Sequence, residues 1–111
     1  MAHEAAPADL FEQIDELLAA PGQSEEPATL ARLERTLTDG YAHALSLEAE
    51  RLRLERRMSE LADELHDGNQ EQKAEELARV SRRISGARAE VERLRGTLTQ
   101  LRDRARAARN P

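Results

Sequence analysis

The chain of 111 residues contains no cysteine and no tryptophan, and it has one phenylalanine and one tyrosine. Without cysteine it forms neither disulfides nor thiolate metal sites. Without large aromatic side chains, any core must be built from Leu, Ile, Val and Ala. The longest apolar run, residues 17–20, is far too short to cross a bilayer. The N-terminus also lacks the basic-then-apolar pattern of a signal peptide. We therefore expect a cytoplasmic protein without membrane insertion.

Proline is scarce, and none occurs between residues 28 and 110. Because proline stops helices, so long a stretch without it favours long helices. Charged residues make up 35% of the chain, and Leu and Ala are abundant, which is typical of coiled coils. The basic residues are almost all arginine, with Lys73 as the single lysine, and this indicates a GC-rich bacterial genome.

The N-terminal third predicts one short helix between two irregular segments. Residues 1–8 are expected to be disordered, residues 9–20 to form an amphipathic helix, and residues 21–27 to form a linker that begins with a Pro-Gly breaker. The apolar residues of the short helix recur at helical spacing: Leu10, Phe11, Ile14, Leu17 and Leu18.

Residues 28–110 predict an all-α fold, a long antiparallel coiled-coil hairpin with its turn at residues 67–69. Apolar residues follow a seven-residue repeat, written abcdefg, on both arms. In the first arm the a and d positions are Leu30, Leu33, Leu37, Gly40, Ala44, Leu47, Arg51, Leu54, Met58, Leu61 and Leu65. In the second arm they are Leu77, Val80, Ile84, Ala87, Val91, Leu94, Leu98, Leu101, Ala105 and Ala108.

The turn follows from Gly68, which tolerates the left-handed backbone that ends a helix, and from Asn69, which with Gln72 resembles a capping box. In an antiparallel pair each a residue shares a layer with a d residue of the other arm. All ten resulting pairs are centred on position 69, and small residues oppose larger ones, as in Gly40 with Leu98. Arg51 is the only polar seam residue. We expect its stem to pack on Ala87, its guanidinium to reach water, Glu48 or Glu55, and the residue to fix the register.

Charges flank the seam on both sides. On the e flank the first arm is acidic and the second is basic, so ion pairs between the arms are expected there. On the g flank the nearest pairs are expected to be like-charged, which leaves that edge open to a partner. The g residues concerned are Glu50, Arg57, Glu64, Glu76, Arg83 and Glu90.

A second apolar stripe lies on the first arm outside the seam, formed by Tyr41, Leu45, Ala49 and Leu52. Two interpretations remain open. Either the N-terminal helix folds back and buries the stripe in a three-helix bundle, or the stripe binds a protein partner or a second copy of the chain. If the N-terminal helix does not pack on the hairpin, its own apolar face can bind in the hydrophobic groove of a partner. Its segment from Ile14 to Leu18 resembles short IxxLL docking motifs.

Nothing in the sequence predicts catalysis, a cofactor or a metal site. The three histidines are scattered, no nucleophile motif or phosphate-binding loop is present, and a hairpin lacks a concave pocket. We therefore predict a non-enzymatic protein-interaction or structural module. The alternative is a regulator of a nucleic-acid machine, since the acidic tip around Asp63 and Asp67 resembles in outline that of Gre-type transcription factors. Such a regulator could also use the arginines of the second arm, although direct nucleic-acid binding is disfavoured because the whole chain is acidic.

Overall fold

The structure, a computed structural model, describes residues 7–19 and 27–110. This part of the chain forms three helices, α1 (Pro7–Ala19), α2 (Pro27–Glu64) and α3 (Gln70–Arg109). The predicted fold class, a helical hairpin with a short N-terminal helix, is confirmed. Residues 1–6, 20–26 and 111 lie outside the described residues, and they include most of the expected disordered segment and of the expected linker.

Two helices begin at a proline. α1 starts at Pro7, two residues before the expected start, and α2 starts at Pro27, the last residue of the expected linker. Proline is favourable in the first turn because the N–H it lacks would have no partner within the helix, and its φ is already helical. Both prolines therefore initiate helices.

α2 ends at Glu64 and α3 begins at Gln70, so the connection between them spans residues 65–69 and contains the expected turn residues 67–69. Gly68 has a φ of 90°, the left-handed conformation predicted for it. Asn69 also has a positive φ, 52°, and not the extended backbone that a capping box requires. Its carbonyl still accepts the first hydrogen bond of α3, from the Lys73 amide at 3.0 Å. The Lys73 ammonium donates to the Glu64 carbonyl at 2.9 Å and so caps the end of α2.

The described residues group into two packing units. The three-helix unit contains α1, α2 up to Ser46 and α3 from Glu92 onward, and the two-helix unit extends from Leu47 to Val91. Each predicted a and d position is buried or half-buried in its unit, so the heptad assignment is confirmed.

In the three-helix unit, α2 and α3 are antiparallel, and α1 runs parallel to α3. A Cβ placed on Gly40 would lie 2.3 Å from Leu98 Cδ2, which confirms the close approach predicted for that layer. Glycine is favoured there because the backbone of α2 lies against the side chain of a buried leucine. The apolar core of the unit consists of Leu10, Ile14, Leu17, Leu33, Leu37, Ala44, Leu94, Leu98, Leu101 and Ala105.

In the two-helix unit, the core is a narrower cluster between α2 and α3. Leu54, Leu61, Val80 and Ile84 are buried, and Met58 and Leu77 pack against them. Three of the predicted layers lie within this cluster. Burial of each such side chain stabilises the fold by about 1.5–3 kcal/mol relative to exposure.

Candidate interaction surfaces

The apolar stripe of α2 is exposed to solvent. Tyr41 is 44% exposed, Leu45 71% and Leu52 50%, and these three are the large hydrophobic side chains that stand out at the surface of the described residues. Ala49 is exposed as well. Leu45 and Leu52 are at heptad position b and Tyr41 is at e, so all three lie away from the seam, on the e and b flank of α2.

The expectation that α1 folds back is confirmed, but the expectation that it buries this stripe is wrong. α1 contacts Arg32 and Arg93, both at position c, and Arg104, at position g. Helical geometry puts c and g on the opposite flank of the seam from e and b. In the three-helix unit, α1 therefore covers one flank and leaves Tyr41 and Leu45 uncovered on the other.

The apolar face of α1 is part of the core. Leu10, Ile14 and Leu17 are 5%, 0% and 4% exposed, and Phe11 and Leu18 are half-buried. These five residues were predicted to bind a partner if α1 is undocked. In the structure they pack within the chain, so that role requires α1 to leave its site.

Arginine side chains hold α1 in place. The Arg93 guanidinium carbon lies 4.0 Å from the centroid of the Phe11 ring, a cation–π contact. Arg32 Nη2 is 2.9 Å from the Glu16 carboxylate. Arg104 donates from Nη1 to the Leu17 carbonyl at 3.1 Å and from Nη2 to the Leu18 carbonyl.

The contact of Arg104 with the end of α1 was not predicted. The last turn of α1 contains no basic residue, so the partial negative charge of its terminal carbonyls must be met from elsewhere. Ten arginines between residues 79 and 109 were a signal that one of them would supply this charge. Burial of Thr36, a g residue that is 2% exposed, was also missed. Both features follow from α1 lying over the g flank.

The e flank is charge-paired as predicted. Arg109 lies 3.0 Å from Glu34 in the three-helix unit, and Arg88 lies 2.9 Å from Glu55 in the two-helix unit. The Arg88 hydrogen bond is the main cause that lowers the pKa of Glu55, and a second hydrogen bond from Arg51 adds to it. Opposite charges across the arms therefore support the antiparallel direction.

On the g flank, the expectation of like-charged neighbours is wrong. Arg57 is bonded to Glu76 at 3.1 Å, and Arg83 is bonded to Glu50 at 3.0 Å. The long side chains of Arg57 and Arg83 reach acids of the other arm, so opposite charges meet. Hydrogen bonding to Arg57 lowers the pKa of Glu76, and hydrogen bonds to Glu76 and then Glu60 raise that of Arg57. In the two-helix unit this edge is paired within the chain.

Arg51 behaves as expected for a polar residue at the seam. Its Nη1 is 2.9 Å from Glu55 and its Nη2 is 3.5 Å from Glu48, and its side chain is 26% exposed. The guanidinium thus leaves the seam for two glutamates of its own helix, while Ala87, its predicted layer partner, is buried. Its role in fixing the register stays a prediction.

The acidic tip shows no ligand cage. Asp63, His66, Asp67 and Glu71 are all exposed. Nowhere in residues 7–19 and 27–110 do three or more potential metal ligands come together. Within the same residues, no helix combines the length and the apolar character needed to cross a membrane.

Comparisons with known proteins add no relative. No family model, no curated protein and no solved structure matches this chain. The surfaces described above are therefore the basis for a functional proposal.

Proposed function

We propose that this chain is a non-enzymatic coiled-coil interaction module that acts in the cytoplasm and binds a protein partner through Tyr41, Leu45, Ala49 and Leu52. One observation carries the proposal. The apolar stripe of α2 stays exposed although the chain contains a third helix that packs on the hairpin.

The stripe has the spacing that a helical partner recognises. Leu45 and Leu52 are seven residues apart and Ala49 lies between them, which is the spacing of residues on one face of a helix. Tyr41 borders that face and offers both an apolar ring and a hydroxyl, a combination enriched at protein interfaces. Covering a leucine as exposed as Leu45 contributes about 1.5–3 kcal/mol to association before the entropic cost of binding.

The alternative, a regulator of a nucleic-acid machine, has less support. Arg57, Arg83 and Arg88 lie within hydrogen-bonding distance of glutamates of the same chain, and a phosphate would have to compete with those pairs. Arg93 stacks on Phe11. Arg83, Arg88 and Arg93 of α3 thus contribute to the fold, whereas Leu45 and Leu52 contribute little to it.

Affinity capture with the whole chain as bait tests the proposal. We expect the wild type to retain a partner that the Leu45→Asp, Leu52→Asp variant loses, because two carboxylates would have to be desolvated at the interface. The matched control is Ala78→Asp, Ser85→Asp, which puts the same charge at two exposed b positions of α3, also seven residues apart. The proposal fails if all three baits retain the same proteins.

A further inference from the structure

The surface beneath α1 has the features of a receptor for a particular kind of helix. Three arginines of this surface, Arg32, Arg93 and Arg104, make directional contacts with α1. The helix seated there is acidic, since its described residues include Asp9, Glu12, Asp15 and Glu16 and no basic residue. Apolar burial and charge complementarity therefore define the same site.

We propose that this surface is a binding groove for an acidic amphipathic helix. Within the chain, α1 occupies the groove. When α1 leaves it, an acidic amphipathic helix of a partner protein binds there. The groove is formed by the c and g flank of α2 and α3 in the three-helix unit. It is separate from the stripe of Tyr41, Leu45 and Leu52, so this inference and the proposed function can fail independently.

The walls of the groove are joined to each other by contacts that do not involve α1. Gly40 packs against Leu98 between α2 and α3, and Arg109 pairs with Glu34 across the same two helices. In the two-helix unit, the same heptad pattern forms a buried seam without any third helix. We therefore expect the hairpin to persist when α1 is displaced.

α1 is suited to exchange because it is short. It has 13 residues, and an isolated helix of that length is marginal in water. Its helical state thus depends on the buried side chains Leu10, Ile14 and Leu17. Loss of these contacts would release the segment as a whole.

The contacts also specify the ligand. It needs apolar residues spaced like Leu10, Ile14 and Leu17, and an aromatic ring beside the first of them to meet Arg93. Its helix must end where Arg104 can donate hydrogen bonds to the last carbonyls, because a helix that continued past this point would use those carbonyls in its own hydrogen bonds. Acidic residues on its outer face would complete the match to the arginines.

The experiment measures binding of a fluorescent peptide with the sequence of residues 7–20 to the full-length chain. The receptor is Ile14→Asp, because a carboxylate at this fully buried position undocks the resident α1. We expect the peptide to bind this variant at least about tenfold more tightly than the wild type, in which α1 occupies the groove. Circular dichroism checks that the hairpin remains helical. If it does not, Leu10→Asp replaces Ile14→Asp as the receptor.

Three further variants test whether binding is specific. Arg104→Gln, added to the receptor, should weaken peptide binding by about tenfold, because charged hydrogen bonds to two carbonyls are lost. Arg106→Gln removes the same charge from an exposed position nearby and should leave binding unchanged. A peptide whose four acidic residues are replaced by the amides should bind more weakly, and salt should weaken the parent peptide more than the amide peptide.

Three results would overturn the inference. The first is failure of the peptide to bind a receptor variant that keeps its helical signal. The second is an equal effect of Arg104→Gln and Arg106→Gln. The third is dimerisation of the wild type that Ile14→Asp abolishes in sedimentation experiments, since the occupant would then be α1 of a second copy and not a partner's helix.

Discussion

The three-helix and two-helix units use the same two helices but differ in what stabilises them. Ile14, Leu94, Leu98 and Leu101 are less than 2% exposed in the three-helix unit, whereas in the two-helix unit Leu61 is the one large side chain buried to that degree. The two-helix unit instead has ion pairs on both flanks of its seam. In the three-helix unit, α1 covers a core that two helices alone would leave partly exposed. In the two-helix unit, the core stays partly exposed and charged side chains lie along both of its sides.

This difference predicts where the molecule is most stable. Apolar burial contributes more than exposed ion pairs, which are worth about 0–1 kcal/mol each. The three-helix unit should therefore dominate the free energy of unfolding, and amides of the two-helix unit should exchange with solvent more readily. The following substitutions test the comparison.

The largest expected effect is the loss of a buried leucine from the three-helix unit. Leu94→Ala should lower the free energy of unfolding by about 3–4 kcal/mol, because three helices surround the cavity and limit its collapse. Leu54→Ala, in the two-helix unit, should cost about 2 kcal/mol, since water and neighbouring side chains can fill the gap. Urea denaturation measures both, and equal costs would show that the two cores are equivalent.

Gly40 should show the next largest effect, again in the three-helix unit. Alanine is the better helix former, but its Cβ would overlap Leu98, which is 1% exposed and has little room to move. We expect Gly40→Ala to destabilise the chain by about 1–3 kcal/mol. Gly96→Ala is the control on the same unit. Apart from its own stretch of helix, nothing lies within 4 Å of the added Cβ, so Gly96→Ala should stabilise the chain by about 0.5–1 kcal/mol. If Gly40→Ala also stabilised the chain, the close approach to Leu98 would be refuted.

These two glycines also illustrate what the sequence can predict. Gly40 occupies a d position opposite Leu98, so the seven-residue repeat alone revealed the tight layer. Gly68 was identifiable from its place in a break of the same repeat. Both features depend on residues whose spacing along the chain fixes their position in space.

The side on which α1 docks could not be predicted in this way. The apolar face of α1 is compatible with either flank of the hairpin, and the stripe around Leu45 favoured the wrong one. The choice depends on contacts that have no periodicity, such as Arg93 with Phe11 and Arg104 with the end of α1. The prediction of like-charged neighbours on the g flank was wrong for a related reason. Heptad positions identify neighbouring residues, but they do not show that the long Arg57 side chain extends to Glu76.

Arg51 gives a smaller effect, of opposite sign, in the two-helix unit. Arg51→Leu should stabilise the chain by about 1 kcal/mol, because a leucine at this seam position buries apolar surface near Ala87 while Glu55 keeps Arg88 as a partner. The melting temperature followed by circular dichroism measures this, and Arg53→Leu, at an exposed position of the same helix, is the control. A marked loss of stability in Arg51→Leu, but not in Arg53→Leu, would mean that the arginine itself stabilises the fold at this seam position.

The smallest expected effect is a pH dependence from the ion pairs of the two-helix unit. The pKa values of Glu55 and Glu76 are lowered in the folded chain by Arg88 and Arg57, respectively. A carboxyl group with a lowered pKa stabilises the fold above its unfolded pKa of about 4.3, and this contribution is lost as the pH falls through the folded value. Acidification through that range should therefore lower the melting temperature of the wild type more than that of Glu55→Gln, Glu76→Gln. Because these pairs are exposed, the difference should shrink in high salt, whereas the cost of Leu94→Ala should not. Equal acid sensitivity of the two proteins would show that the ion pairs of Glu55 and Glu76 do not contribute to the stability of the two-helix unit.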